Sequence, residues 1–305
     1  MRVSGNVVFM EPVPHALGDS DARFEILPLG SSEEQAAQLP EPVRLTVTCS
    51  PKHGPNRSVE VAGRLHAMGH AVTVHIAARM VRDRAHVDAL LAGMAEAGAD
   101  DLFLIGGDAD PALGEFASAV ELLPVIAEHP QRPRTIGIGG YPEGHPLIDD
   151  ATLDQALLQK SRYADYVTTQ LCFDPAALTD WIAGQRRRGI TLPVFIGMPG
   201  KVMAARLLEM SARIGVGPSM AFLRKQRGLR NLFGLFRRSA GDDLYKALAP
   251  LVGDPQLGIA GFHYFTFNQL IATYEWQREK QADAPRRSPR EAATRRYGRP
   301  EESRT

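Results

Sequence analysis

Ala71-Val72-Thr73-Val74-His75-Ile76-Ala77 and Asp101-Leu102-Phe103-Leu104-Ile105-Gly106 bracket the segment Ala85–Gly98, in which Val87, Leu90, Leu91 and Met94 recur at i, i+3, i+4 and i+7. The outer runs are rich in Val, Ile, Leu and Phe, as strands buried on both faces are. The segment between them has the 3.6-residue stripe of a helix. Strand, helix, strand is the unit of a parallel sheet. It recurs along the chain. Further candidate strands are Phe24–Leu27, Val43–Cys49, Thr135–Gly139, Tyr166–Cys172, Pro193–Gly197 and Gly258–Phe267. Helical stripes lie in Pro175–Gly189 (Leu178, Trp181, Ile182) and Lys201–Gly215 (Met203, Leu207, Met210, Ile214). Gly69, Gly98, Gly189 and Gly215 each follow a helical pattern, where a left-handed stop is expected.

Repeated β-α units make either a doubly wound open sheet or a closed barrel. An open dinucleotide-binding sheet would show G-x-G-x-x-G after an early strand, and a nucleotide-triphosphate site G-x-x-x-x-G-K-[ST]; neither occurs. The expectation is an α/β fold, a (β/α)8 TIM barrel over 23–280, with an irregular lead-in at 1–22 and a disordered, Arg-rich tail at 281–305. The stretch 220–240 is basic and irregular, and a short seventh strand is expected near Gly217–Met220.

The chain has 305 residues, 44% of them hydrophobic, enough for a large core. Lys+Arg and Asp+Glu are both 35, so no global field attracts a nucleic-acid backbone. Apolar runs are far shorter than the ~20 residues that span a bilayer. The N-terminus lacks an apolar secretory core. Cys49 and Cys172 make neither a disulfide framework nor an all-cysteine zinc site, and no H-E-x-x-H metal motif is present. These features suggest a cytoplasmic protein acting on a small molecule, without a metal, nucleic acid or membrane, and compatible with a homo-oligomer.

In a barrel, the carboxyl ends of the strands hold the active site. Glu25, Thr48, His75, Asp108 after Gly106-Gly107, Tyr141 to Pro146, Thr168 to Gln170, and His263, Tyr264, Thr266 and Asn268 all fall at or near such ends. Each alone has a structural explanation, such as a turn, a cap or a satisfied amide. Together they imply a polar ligand, because buried polar groups cost roughly 1–3 kcal/mol when unsatisfied.

Seven stretches in order carry a resemblance. They are Phe24-Glu25-Ile26-Leu27-Pro28, Val47-Thr48, His75, Gly106-Gly107-Asp108, Tyr141-Pro142-Glu143-Gly144-His145-Pro146, Thr169-Gln170-Leu171-Cys172-Phe173-Asp174 and Gly261-Phe262-His263-Tyr264-Phe265-Thr266-Phe267-Asn268. Through them the chain resembles the methylenetetrahydrofolate reductase family, FAD-dependent (β/α)8 barrels. The resemblance implies interconversion of 5,10-methylenetetrahydrofolate and 5-methyltetrahydrofolate by hydride transfer at flavin N5. It implies Glu25 as general acid, and Asp108 as the carboxylate that holds the pterin beside the flavin. Gln170 and Phe267 would contact the folate. Thr48, His75, Gly107, Asp108, Tyr141, His145 and, across a one-residue gap, Lys160 would contact FAD. The substrate ring opens to an iminium cation only when the departing nitrogen gains a proton. A carboxylic acid among apolar neighbours such as Phe24, Ile26 and Leu27 can supply one.

The chain departs from the family pattern at four places. Gly106 stands where a flavin-binding arginine is usual. Ile196-Gly197-Met198-Pro199-Gly200-Lys201 replaces Pro-Gly-Ile-Met-Pro. Met203, Ala204 and Ala205 occupy a region that often holds a stacking aromatic. Gln269 follows the Thr-x-Asn where a basic residue is common. The electron donor therefore stays open between NAD(P)H and a protein. The alternative function is a folate- and flavin-binding subunit relying on such a protein, or an enzyme that oxidises methyltetrahydrofolate. The arginines at 224–238 are compatible with a docking face, a phosphate clamp or a solvated loop.

Overall fold

A computed structural model describes residues 22–49, 51–201 and 240–283. Eight parallel strands close into a barrel in sequence order: β1 (Ala22–Ile26), β2 (Arg44–Val47), β3 (Ala71–Ala77), β4 (Asp101–Ile105), β5 (Thr135–Gly140), β6 (Tyr166–Thr169), β7 (Val194–Pro199) and β8 (Ile259–Phe265). β8 pairs with both β7 and β1. The strand at 193–197 is therefore the seventh, and the barrel closes without one at Gly217–Met220. Those residues, the helix expected through Gly215, the 224–238 arginines, the lead-in to residue 21 and the tail from 284 lie outside the described residues.

The helices are α1 (Gly30–Ala36), α2 (Gly54–Ala67), α3 (Arg84–Glu96), α4 (Ala119–Ala127), α5 (Asp150–Lys160), α6 (Pro175–Arg187), α7 (Ala240–Leu248) and α8 (Leu270–Asp283). Local chemistry sets several of their ends. Asp83 caps α3 by accepting from His86 N, Asp149 caps α5 at Thr152 N, and Asp174 caps α6 at Ala176 and Ala177 N ahead of Pro175. Gly69, Gly98 and Gly189 take φ of 94°, 68° and 85°, the left-handed stops that the sequence suggests.

Strand alternation divides the side chains. Phe24, Ile26, Leu45, Val74, Leu102 and Ile138 point outward and are buried beneath the helices. Inward residues come in layers from alternate strands. Following the registers, Arg23, Thr73, Gly137 and Phe195 form one layer near the amino-terminal end. Thr46, Phe103, Thr168 and His263 form the next. Above them lie Glu25, His75, Gly139 and Gly197, so two glycines face the two titratable residues. This alternation corrects one expectation: Phe24 and Ile26 are on the opposite face from Glu25 and supply none of its surroundings.

The amino-terminal end is filled. Arg23 lies 3.3 Å from Asp101, with its guanidinium 4.1 Å from the Tyr166 ring centre and 3.9 Å from that of Phe195. Thr73 and Tyr166 both donate to Asp101, at 2.7 and 3.1 Å. Gly137 makes room for Tyr166, since a Cβ there would sit 2.2 Å from the ring.

Candidate functional site

At the carboxyl-terminal end of the barrel, Glu25 Oε2 lies 3.2 Å from His263 Nε2 and 3.9 Å from His75 Nε2. Its side chain is 18% exposed, while both imidazoles are buried. The residues beyond β8 help fix it. Thr266 Oγ1 donates to the Glu25 carbonyl, and Asn268 Oδ1 accepts from Leu27 N at 2.9 Å. Phe267 and Asn268 take left-handed φ of 48° and 62°. Backbone of that kind is costly for a large side chain and is typical of functional sites. The result sets the Phe267 ring 6.5 Å from that of Phe265 at the rim.

His75 is held neutral. Burial drives its pKa down to about 4, against an upward pull from Glu25, with His263 adding to the fall. Its ring packs 4.7 Å from that of Phe103, and its Nε2 has no hydrogen-bond partner. Thr46 Oγ1 and Thr48 Oγ1 are likewise buried without partners. Buried polar atoms are rarely left so unless a ligand or water meets them. Cys49, at the end of β2, is a buried thiol pushed up to about 11 by desolvation, and it packs against Met80. A thiol of that kind is a poor nucleophile.

Asp108 follows β4 on the segment 106–118, at the same end as Glu25, and is exposed. Gly107 has φ of 88°, and a Cβ on it would lie 2.7 Å from that of Ala77. The backbone there can pass β3 only as glycine. Gln170 sits just past β6. Its main-chain N–H donates to the Gly140 carbonyl at 2.7 Å, and the Oε1 of its side-chain amide accepts from Leu171 N at 2.8 Å. One side of the amide is thus committed to the chain, and its NH2 group is the part left for a ligand.

Tyr141 and His145 meet edge to face at 5.5 Å beyond β5. Burial, followed by the nearby Asp108, raises the Tyr141 pKa. A cleft of about 330 Å³ opens beside them, between α5 and α6. Lys160 lines it from the last residue of α5, with Nζ 3.4 Å from the Gly139 carbonyl. Burial lowers its pKa to about 8, so it is largely charged at neutral pH and well placed for an anion. The far wall is α6. From α5, Asp154 accepts from Gln185 of α6 at 3.1 Å and pairs with Arg188 at its end at 2.6 Å, and Gln185 Oε1 is buried without a partner.

Every sequence-predicted site residue thus lies at the mouth or beside it, in two groups. Glu25, Thr48, His75, Asp108, Gln170 and Phe267 lie at strand ends or just past them, while Tyr141 and Lys160 line the flanking cleft and His145 packs on Tyr141. The sequence missed the role of His263, which shares the inward face of β8 with Gly261 and Phe265. It also missed Thr46, whose inward position follows from its register with Glu25. The wall from α6 had no signal in the sequence, since nothing local indicates that two helices stand apart. Among the described residues, no group of three His, Cys, Asp or Glu side chains has a metal-holding arrangement, and no helix is long and apolar enough to cross a membrane.

The sequence model of the family described as methylenetetrahydrofolate reductase matches residues 34–276. Over 122 residues the chain is 31% identical to methylenetetrahydrofolate reductase 1 of Schizosaccharomyces pombe, covering 37% of this chain and 20% of that protein. Over 102 residues it is 32% identical to methylenetetrahydrofolate reductase 2 of Saccharomyces cerevisiae, covering 32% of this chain and 17% of that protein. The matched stretches thus span a fifth or less of these relatives' length. Among solved structures, a putative lyase/mutase from Burkholderia cenocepacia aligns with 17% identity and a TM-score of 0.47, covering 92% of this chain and 91% of that one.

Proposed function

The chain belongs to the methylenetetrahydrofolate reductase family, and from that premise we propose that it interconverts 5,10-methylenetetrahydrofolate and 5-methyltetrahydrofolate with FAD as its cofactor. What carries this reading is the meeting of Glu25 with His263, at the same end of the barrel as Asp108. A proton donor and a carboxylate suited to a cation then face one ligand.

The residues present fit FAD. Thr48 Oγ1 and His75 Nε2 lack hydrogen-bond partners, and Lys160 offers a cation in the adjoining cleft. These residues, with Tyr141 and His145, would hold the cofactor. When bound, FAD supplies the group that gives or takes a hydride.

The chain's own residues do the rest. Glu25 gives its proton to the departing nitrogen of the folate ring, and His263 Nε2, within hydrogen-bond reach, holds the carboxyl in place and steadies it once ionised. Neutral His75 adds no positive charge beside the iminium. Asp108 favours that cation electrostatically and accepts from the pterin edge. Gln170 offers its NH2 to the same heterocycle, and Phe267 gives the aminobenzoate an apolar face. The electron donor is NAD(P)H or a protein.

The experiment is anaerobic addition of 5-methyltetrahydrofolate to FAD-loaded protein, followed at the flavin absorbance. Bleaching is expected. Protein that neither carries FAD nor takes it up on reconstitution would overturn the reading. Parallel additions of NADH and NADPH identify the donor: bleaching by either names it, and bleaching by neither points to a protein.

A further inference from the structure

We propose that Arg79 is a positioning residue that holds Asp108 over the barrel mouth, acting through the segment 106–118. This rests on the role given to Asp108 above.

Between β4 and α4 the chain runs through 106–118 with no helix or strand of its own. Among the described residues, no hydrogen bond holds the Asp108 carboxylate itself. Its position is therefore set by the backbone on either side of it. That backbone is fastened almost wholly to the 3-10 turn Ala78–Met80 after β3 and the residues just past it.

Arg79 is the centre of the fastening. Its guanidinium reaches three separated points of the segment. Nε donates to the Ala109 carbonyl, NH2 to Asp110 Oδ1 at 3.1 Å and NH1 to the Ala117 carbonyl at 3.0 Å. Its main chain adds two more bonds. Arg79 N donates to the Gly106 carbonyl at 3.0 Å, and Leu113 N donates to the Arg79 carbonyl at 2.8 Å. Glu115 N reaches the Arg82 carbonyl at 2.9 Å, where Gly114 runs so close that a Cβ would clash with Arg82 backbone. Asp108 thus lies between two tethered neighbours, Gly106 and Ala109.

The residue type matters. A planar guanidinium presents donors in several directions at once, whereas an ammonium is a single compact point. Two of its three acceptors are neutral carbonyls, and the third is a carboxylate on an almost fully exposed side chain. Charge pairing with Asp110 is therefore the minor part, and spanning the loop is the major one. Misplacing a group by about 1 Å can cost as much as ~100-fold in an aligned reaction.

The test is a double-mutant cycle on FAD-loaded protein, reading the dissociation constant of 5-methyltetrahydrofolate, with hydrogen exchange of the apoprotein amides as a second readout. Asp108→Asn and Arg79→Gln should each weaken binding about 10-fold or more. The double variant should be no worse than Asp108→Asn alone. Arg79→Lys should behave like Arg79→Gln, and amides of 106–117 should exchange faster in Arg79→Gln while those of β1–β8 do not. Additive losses would overturn the proposal, as would wild-type binding in Arg79→Gln, or exchange that is unchanged or raised throughout the barrel. If Asp108→Asn binds normally, the role of Asp108 fails and the positioning role falls with it. Loop exchange then still reports separately whether Arg79 fastens the segment.

Discussion

At the amino-terminal end of the barrel, Arg23, Thr73 and Tyr166 converge on the Asp101 carboxylate. Nearer the mouth, Thr46, Thr48 and His75 each keep a buried polar atom with no protein partner. Both sets are inward-facing polar residues of one barrel, and Thr73 and His75 stand two residues apart on β3. The lower set is closed by rings: the Arg23 guanidinium lies between Tyr166 and Phe195. The upper set faces Gly139, where a Cβ would meet nothing closer than the Tyr141 hydroxyl at 3.6 Å, and Gly197, which packs closely against the Thr169 carbonyl and the Phe265 ring. Polarity inside a barrel is therefore not by itself a sign of function. The sign is unsatisfied polarity at the mouth, where a ligand can meet it.

That contrast predicts that the two ends fail differently. The largest effect expected is on turnover, from the upper set. Glu25→Gln keeps the shape and removes the proton, so folate turnover should fall by about 10²- to 10⁴-fold, or ~3–5.5 kcal/mol in the barrier. The melting temperature should scarcely move, because Glu25 contributes no packing that Gln cannot replace. Steady-state kinetics beside a thermal melt check both halves. A variant that turns over normally would remove Glu25 from the chemistry, and one that unfolds would move it to the structural set.

The lower set should show the reverse. Arg23→Met strands the buried Asp101 carboxylate without its cation, at a cost of about 3–5 kcal/mol. Denaturant unfolding of the apoprotein should reveal that loss, while FAD affinity of the folded fraction stays near wild type. Adding Asp101→Leu should recover much of the stability, since replacing a buried pair with apolar residues is often neutral. A large drop in FAD affinity in the folded single variant would mean that the two ends are coupled and the contrast false.

The sequence goes further in the first half of this contrast than in the second. Runs such as Asp101–Ile105 and stripes such as Val87, Leu90, Leu91 and Met94 set strands and helices through local periods. The glycine stops at 69, 98 and 189 depend on the αL backbone alone. The level of a side chain along the axis is another matter, because it depends on the stagger of all eight strands. Arg23 and Asp101, separated by 78 positions, become partners only through that stagger, and Glu25 and His263, separated by 238, likewise. Apolar neighbours in the sequence put Glu25 in a hydrocarbon setting. Strand alternation instead sends those neighbours to the outer face and gives Glu25 two imidazoles. Glu25 itself, with Asp108 and Gln170, was legible because each ends or follows a strand, and strand ends are local.

The smallest effect concerns the imidazole of the upper set, and its sign follows from burial. His75 has a folded pKa of about 4 against an unfolded value of 6.5, so between these values the unfolded chain binds the additional proton. Stability therefore rises with pH across that window. The contribution is complete above about 6.5 and is lost as pH falls toward 4, for a total on the order of 3 kcal/mol. His70 and His86 are also shifted down by burial and tilt the wild-type curve in the same direction, so the slope of one protein does not isolate His75. The difference between wild type and His75→Gln does. Unfolding free energies of the two apoproteins, measured from pH 7 to pH 4, should converge as the wild type loses a penalty-free neutral imidazole that the variant never had. Curves that stay parallel would mean that His75 is protonated in the folded apoprotein. The Nε2 would then be a donor already engaged with Glu25, as the groups around Asp101 are engaged at the other end.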